Sequence, residues 1–331
     1  MQNTDVVIIG AGPVGLFAVF ECGMMDLKCH VIDALDFVGG QCTALYPEKP
    51  IYDIPSQVEI SGEDLIKNLQ KQAEKFLPTY SLGEQVIAIT KKNELFTVST
   101  NKNNPITCKA ILIAGGCGSL GPNRPPISNI EEFEKTGKVA YMVKSKSDFI
   151  NKSVVIAGGG DSAIDWLISL QGIAKKLYLV HRRNNLRGHP ESEKKVFELA
   201  KNGLIELVIP YQLDSLKGED GNLKAVLVKD LNNNIRELEA DYLLPFYGLS
   251  MELGPIANWG LNLHKNHIEV DYSTMQTNVD GIFAIGDICH YKGKKKLILC
   301  GFAEGAVAAS SIYPLVYPDK EYHFQYSTSK F

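Results

Sequence analysis

Near its start the chain reads Asp5-Val6-Val7-Ile8-Ile9-Gly10-Ala11-Gly12-Pro13-Val14-Gly15. Val6 to Ile9 is a continuous β-branched run, the pattern of a strand buried on both faces of a parallel sheet. It runs directly into Gly10-x-Gly12-x-x-Gly15, and the apolar stretch Leu16 to Phe20 suits a helix packed on that sheet. A second strand, Cys29 to Ile32, ends on an acid, Asp33. Gly10 permits the tight turn, Gly12 lets the backbone approach a pyrophosphate, and Gly15 lets helix and strand pack closely. The helix N-terminus attracts the anion, and Asp33 can take ribose hydroxyls. A glycine triplet alone is weak evidence. Strand, turn, helix, strand and acid in this order predict a dinucleotide site.

The pattern returns beyond Lys152. Val154 to Ala157 reads as a strand, Gly158-Gly159-Gly160-Asp161-Ser162-Ala163 as a turn of the GxGxxA type, Ile164 to Leu170 as a helix and Lys176 to Val180 as a second strand. Gly158, Gly160 and Ala163 stand at one constant offset from Gly10, Gly12 and Gly15, and at that offset from Asp33 stands His181. Two complete βαβ units in one register predict two dinucleotide sites on two domains. The second site has His181-Arg182-Arg183, with Arg187 following, where the first has an acid. Arginines grip a ribose 2′-phosphate that an acid would repel, so this site reads as NADP rather than NAD. The plainer reading of these residues is a solvated basic loop.

The length of 331 residues fits about two domains, and 45% hydrophobic with 22% charged residues is ordinary for a globular protein. A net charge of −4 offers no basic excess for nucleic acid. The N-terminal apolar run follows no basic residue and carries Asp5, so it reads as a strand and not a signal peptide. No run reads as long enough to span a bilayer, which makes the cytoplasm the expected location. The seven cysteines are odd in number and include no CxxC pair, which argues against a disulfide framework, a zinc ribbon, any other metal centre of that type and a dithiol redox centre.

Between the two units, Gly39-Gly40-Gln41 is either a surface turn or a backbone lying close to a ligand. A Pro- and Tyr-rich segment, Leu45 to Pro55, follows, then an amphipathic helix from Ser61 to about Phe76, and strands at Val86 to Ile89, Leu95 to Ser99 and Ala110 to Ile113, the last ending at Gly115-Gly116. Asn123-Arg124-Pro125-Pro126 and Phe246-Tyr247-Gly248 read as linkers. Leu204 to Val208, Ala225 to Lys229 and Ile235 to Leu238 read as a β-meander. Near the end a strand, Ile282 to Ile285, meets Gly286-Asp287, an acid placed to bind a polyol hydroxyl. A basic loop, Lys292 to Lys296, and a helix from Gly301 to Ile312 follow. By composition the tail from Tyr322 to Phe331 reads as a frayed end.

Together these residues resemble the flavoprotein superfamily with two dinucleotide sites, in which the first glycine motif holds FAD, the second holds NAD(P)H, and a segment like Phe283-Ala284-Ile285-Gly286-Asp287 returns to the ribityl chain of FAD. The length resembles the thioredoxin reductase branch, but no cysteine stands between Cys117 and Cys289, so a dithiol mechanism is absent. Gly39-Gly40-Gln41, Leu45 to Lys49, Ile51-Tyr52-Asp53, Gly158 to Trp166, His181-Arg182-Arg183, Arg187 and Tyr326 to Lys330 are similar to the thioredoxin-reductase-like ferredoxin–NADP reductase family, over essentially the whole chain. The resemblance implies that Gly10, Gly12, Pro13, Gly15, Asp33, Gly40, Gln41, Tyr46, Val86, Leu120, Asp287, Ser327 and Thr328 hold FAD. It implies that Tyr46 and Tyr326 stack on its two faces, the latter from the same or a neighbouring subunit. It also implies that Gly158, Gly160, Asp161, Ser162, Ala163, His181, Arg182, Arg183 and Arg187 hold NADP(H). Leu120 departs from the family, where many relatives carry Phe.

The fold expected is α/β, with two Rossmann-like three-layer dinucleotide-binding domains. The FAD domain (1–115 and 248–331) is discontinuous, with the NADPH domain (116–247) inserted. The reaction implied is hydride transfer between NADPH and FAD and single-electron exchange with ferredoxin or a similar small acidic carrier, by a cytoplasmic homodimer with no nucleic-acid or membrane partner. The loop Lys292 to Lys296 either guides that carrier or is merely solvated. Two other readings stand beside this one: an NADPH-dependent flavoprotein oxidase or reductase with another acceptor, and a non-enzymatic redox-sensing nucleotide-binding protein.

Overall fold

The computed structural model describes residues 2–321 and 326–330, the side chains of 119–121, 249–251 and 329 excepted. The chain divides into two compact units, Met1–Leu120 with Met251–Phe331, and Gly121–Ser250. The crossings fall a few residues beyond the glycines that the sequence marks, because the connecting segments continue as strands: Ser119–Pro122 pairs with Leu249–Glu252 in a two-stranded ribbon.

The first unit is built on a five-stranded parallel sheet in the order Ile282–Ala284, Ala110–Ile113, Val6–Ile9, Cys29–Asp33, Thr79–Leu82. Alternation along each strand sends side chains to opposite faces. Val6, Ile8, Val31, Ala110 and Leu112 pack with Ala18, Val19 and Cys22 of helix Pro13–Met24 and with Ala308, Ala309 and Ile312 of helix Ile298–Val316. Val7, Ile32, Ile111 and Ile113 pack with Phe96, Val98 and Ile106 of an antiparallel sheet, Val86–Lys92, Leu95–Thr100 and Ile106–Cys108. Both faces are thus covered, which is why the parallel strands read as unbroken apolar runs. Helix Gly62–Glu74 completes the helical layer against Pro13–Met24. It is capped where Ser61 Oγ accepts from the Asp64 amide at 3.0 Å.

Helix Ile298–Val316 starts earlier and ends later than the pattern predicts, and it is the one described helix long and apolar enough, by length and composition, to cross a membrane. That corrects the expectation that no run reaches this length. Its inward stripe (Gly301, Glu304, Gly305, Ala308, Ala309, Ile312, Val316) is buried in the unit, and Glu304 forms an ion pair there. A core helix has this construction.

The second unit repeats the plan with a four-stranded parallel sheet, Glu206–Val208, Lys176–Val180, Ser153–Ala157, Tyr242–Pro245. Helix Asp161–Leu170 packs on it beside Pro190–Lys201. Val155, Ala157, Tyr178 and Val180 face a three-stranded meander through Val226, Val228 and Leu238. The meander is Gln212–Glu219, Asn222–Lys229, Ile235–Glu239, so the sequence reading misassigned one strand. Leu204 to Val208 supplies the edge of the parallel sheet instead. The true first strand of the meander hides its signal behind charge: Asp214 pairs with Lys229 at 3.0 Å and Lys217 with Glu237.

Candidate dinucleotide and electron-transfer site

The first glycine turn is shaped by contacts that leave no room for a side chain at two of its three glycines. Gly10 has φ +115°, and a Cβ there would lie 2.4 Å from the Ala114 carbonyl oxygen. A Cβ on Gly15 would lie 2.0 Å from the Gly10 carbonyl oxygen, so Gly15 keeps the turn itself closed as well as the helix near the sheet. Gly12 differs: a Cβ there would meet no atom within 4 Å. It is the N-cap of helix Pro13–Met24 and caps it with no side-chain hydrogen bond, leaving the helix N-terminus to an anion. Gly39-Gly40 lies against this turn. The Gly39 amide donates to Ala11 O at 2.8 Å, and a Cβ on Gly40 would stand 3.1 Å from Gly12 Cα. The paired glycines are therefore part of the turn's wall and not a detached surface loop.

Asp33 Oδ2 accepts from the Ala11 amide at 2.6 Å and Oδ1 from the Leu35 amide at 2.8 Å. Burial raises its carboxyl pKa, and these two amides oppose the rise. The acid thus braces the glycine turn and lines the cavity that opens from it.

A cavity of about 460 Å³ opens from this turn. Of the residues expected around FAD, Gly10, Gly12, Pro13, Asp33, Gly40, Gln41, Tyr46, Val86 and Asp287 line it. Gly15 stands behind the wall. Leu120 has its side chain outside the described residues. Tyr326, Ser327 and Thr328 are elsewhere: Tyr326 is 71% exposed, and Lys330 of the same tail donates to Met24 O and to Asp26 Oδ1 at 3.1 and 2.7 Å. That is the end of helix Pro13–Met24 remote from the turn, about 18 Å away for twelve residues. The described tail residues, 326–330, do not line the cavity of their own chain.

The sequence gives no sign of several other walls. Leu253 to Ile256 and Trp259 close one side, Glu84 and Gln85 lie beside Val86, and Cys117 and Lys296 also line the cavity. Of these, Cys117, just past Gly115-Gly116, and Lys296, in the basic loop, had a local signal. Gln41 Nε2 stands 3.5 Å from Cys117 Sγ, and the Cys42 thiol points to the Tyr46 hydroxyl at 3.7 Å. Burial pushes the Cys42 thiol up to about 11 and raises Cys117 and Tyr46 as well. Trp259 Nε1 is buried with no hydrogen-bond partner among the described residues. An orphaned donor in the wall, together with the open cradle above Gly12, suits a bound group rich in acceptors, as a dinucleotide is. Of the basic loop, Lys292 and Lys295 are exposed, Lys296 reaches the cavity and Lys294 is buried in an ion pair.

The second turn follows the same mechanics. Gly158 has φ +153°, and its Cβ would lie 2.7 Å from the Phe246 carbonyl oxygen, as Gly10 meets Ala114 in the first unit. Gly160 has open space and leaves helix Asp161–Leu170 without a side-chain cap. Ala163 is buried against the turn, and Asp161 and Ser162 are exposed in the first helical turn. Asp161 Oδ1 accepts from the His189 amide at 2.8 Å, and the Arg187 amide donates to Gly159 O at 2.6 Å. Arg182, Arg183 and Arg187 are exposed, and none pairs with a carboxylate among the described residues.

His181 is not beside them in the open. It is 7% exposed, its ring packs on Gly159, and its Nε2 is buried without a partner among the described residues. Like Asp33, it braces the turn. Burial first, then Arg187, Arg182 and Arg183, lower its pKa. The unfolded chain therefore takes up this proton first. The stability tied to neutral His181 is present above about pH 6.5 and is lost as the pH falls through the lower folded value. Thermal melts between about pH 7 and about pH 5 should show a steeper loss for the native chain than for His181→Gln. Parallel curves would remove His181 from this account.

Residues 4–305 match the pyridine nucleotide-disulphide oxidoreductase family. A ferredoxin–NADP reductase of Rickettsia canadensis (strain McKiel) is 57% identical over 332 residues, covering 100% of this chain and 98% of its own. The enzyme of the same name from Rickettsia massiliae (strain Mtu5) is 56% identical over 331 residues, covering 100% and 99%. Among solved structures, the Lactococcus lactis thioredoxin reductase in its FR conformation superposes with a TM-score of 0.81 at 25% identity, over 95% of this chain and 99% of that one. The chain belongs to the pyridine nucleotide-disulphide oxidoreductase family and, by its identity to full-length relatives, to the ferredoxin–NADP reductases within it.

Proposed function

We propose that this chain moves electrons between NADP(H) and ferredoxin through bound FAD. The observation that carries the reading is the pair of glycine turns in one register, each opening on an uncapped helix N-terminus, one followed by an acid and the other by three exposed arginines that pair with no carboxylate among the described residues. Bound FAD supplies the chemistry, exchanging a hydride with nicotinamide and single electrons with ferredoxin. The chain's residues bind, orient and shield.

In the unit of residues 1–120 and 251–331, Gly12 and the helix N-terminus take the pyrophosphate and Asp33 the ribose. Gly40, Gln41, Tyr46, Val86 and Asp287 hold the remainder, and Leu120 joins them from the resemblance. In the unit of residues 121–250, Gly160, Asp161 and Ser162 receive the second pyrophosphate, and Arg182, Arg183 and Arg187 the 2′-phosphate, while Gly158, Ala163 and His181 keep the turn in shape.

No thiol takes part. The cavity thiols of Cys42 and Cys117 are held protonated by burial, and the thiolate is the reactive form. NADPH-driven reduction of cytochrome c through added ferredoxin tests the function, and replacing Cys42 and Cys117 together with Ser should change its rate by less than about threefold. A rate indifferent to ferredoxin would assign another acceptor. A collapse of activity in the serine variant, with FAD still bound, would restore a thiol step.

The same reading makes the protein a cytoplasmic homodimer with no membrane or nucleic-acid partner. For the homodimer, support comes from the outward stripe of helix Ile298–Val316, where Leu299, Ala303, Ala306, Ser310 and Pro314 carry no charge. The tail is anchored through Lys330 at Met24 and Asp26, away from its own chain's cavity, so Tyr326, Ser327 and Thr328 serve a neighbour's cavity in this reading, with Tyr326 over the flavin. A stacked ring there contributes about 0.5–1.5 kcal/mol beyond its area burial. Deleting Tyr326 to Phe331 should keep FAD bound but alter its visible spectrum and its reduction rate by NADPH in stopped flow. An unchanged spectrum and rate would strike Tyr326 from the site.

A further inference from the structure

Glu304 belongs to no motif, yet both of its oxygens are engaged in the core. Oε2 accepts from the Gly286 amide at 2.7 Å and from the Cys289 thiol at 3.6 Å. Oε1 accepts from the Tyr291 hydroxyl at 2.7 Å and from the Lys294 ammonium. The Lys294 and Glu304 side chains are 5% and 4% exposed. Burial and the Glu304 charge push the Cys289 thiol up to about 12. All four donors come from one short segment, Gly286 to Lys294. That segment begins on the left-handed turn of Gly286, at φ +76°, and carries Asp287 into the cavity wall.

The helix that bears Glu304 is itself fixed. A Cβ on Gly301 would lie 2.3 Å from Val14 Cγ2, and one on Gly305 would lie 3.6 Å from Ala18 Cα. Both neighbours belong to the helix of the first glycine turn. One carboxylate therefore ties the Asp287 turn to the helix layer that carries Gly12 and Pro13. A buried ion pair rarely adds net stability over an apolar pair of the same volume, because the desolvation of both charges offsets their attraction. It does impose one arrangement, since the Gly286 amide, the Tyr291 hydroxyl and the Lys294 ammonium converge on it and each would be left unsatisfied if the turn moved, while the Cys289 thiol also has the Gly286 carbonyl oxygen at 3.2 Å.

We propose that Glu304 and Lys294 are positioning residues for the cofactor: Glu304 sets the Gly286-Asp287 turn and, through Asp287, the affinity of the cavity for FAD. This rests on the FAD reading of the cavity. The test uses deflavinated full-length protein titrated with FAD by fluorescence, for the native chain, Glu304→Gln, Asp287→Ala and their combination. A further variant with Glu304→Gln and Lys294→Met leaves no unpaired charge and so guards against a folding failure. Amide hydrogen exchange of the Gly286 to Tyr291 segment is followed in parallel.

Glu304→Gln and the doubly neutral variant should each raise the FAD Kd by about tenfold or more. Glu304→Gln should add no more than about twofold once Asp287 is Ala, the mark of action through that residue. Exchange at the segment should quicken in the Glu304→Gln apoprotein. A native Kd in both variants, losses that multiply fully with Asp287→Ala, or unchanged exchange would each overturn the proposal. A native protein that takes up no FAD would sink the cofactor reading before any variant is made, and the exchange arm would still judge the clamp on the turn.

Discussion

Replacing Arg182 and Arg183 together with alanine is expected to raise the KM for NADPH by on the order of 10²-fold or more, while the KM for NADH stays within about threefold. A hydrogen bond to a charged group is worth about 1.5–3 kcal/mol, so two such contacts exceed about 3 kcal/mol, and each 1.4 kcal/mol is about tenfold. NADH lacks the 2′-phosphate and never makes these contacts. Nothing nearby replaces the lost charge: His181 is buried and its pKa is lowered, and Arg187 supplies only one fork. Lysine at both positions should restore part of the loss, since it keeps the charge without the planar bidentate donor set. Both arginines are exposed, so the difference should shrink as salt is added. Equal losses for NADPH and NADH, read from initial rates with either nucleotide, would remove the 2′-phosphate assignment.

The glycines of the first turn should separate folding from binding. Gly10→Ala places a methyl 2.4 Å from a carbonyl oxygen at a backbone angle of φ +115°. Steric overlap and backbone strain each cost about 1–3 kcal/mol, so the variant should lose about 3 kcal/mol or more in urea melts of the apoprotein. Gly12→Val has open space in the protein and should leave the apoprotein melt within about 1 kcal/mol of the native chain. It fills the place where a pyrophosphate would approach, and FAD affinity should fall by about 10²-fold or more. A Gly12→Val protein that binds FAD normally would show that the cofactor does not lie against this turn.

These contrasts mark what was legible in the sequence. The two βαβ units were, because strand, turn and helix are consecutive, and the constant offset from Gly10 to Gly158 repeats in space as Ala114 and Phe246 closing the same contact. Asp33 and His181 were legible as positions but not in full as roles: each braces its own turn, a contact set by distance across the sheet. The cavity wall from Leu253 to Trp259 was not legible, since a 3-10 segment of mixed residues has no period to read. Glu304 stands 18 residues from the amide it holds, on a helix whose pattern predicts only an apolar face. Strand Gln212–Glu219 failed for another reason, because its charges satisfy each other within the meander and mimic a loop. The tail's contact with Met24 and Asp26 joins residues about three hundred positions apart, and no local rule reaches that far.

The central claim is that this chain passes electrons from NADPH to ferredoxin by way of one bound flavin. Anaerobic stopped flow of the purified, FAD-loaded protein tests it most directly, with NADPH in one mix and oxidised ferredoxin in the next, followed at the flavin band. NADPH should bleach the band far faster than NADH does, and ferredoxin should restore it with stoichiometric ferredoxin reduction. A protein that takes up no FAD, or a band that NADPH bleaches and ferredoxin leaves bleached, would contradict it.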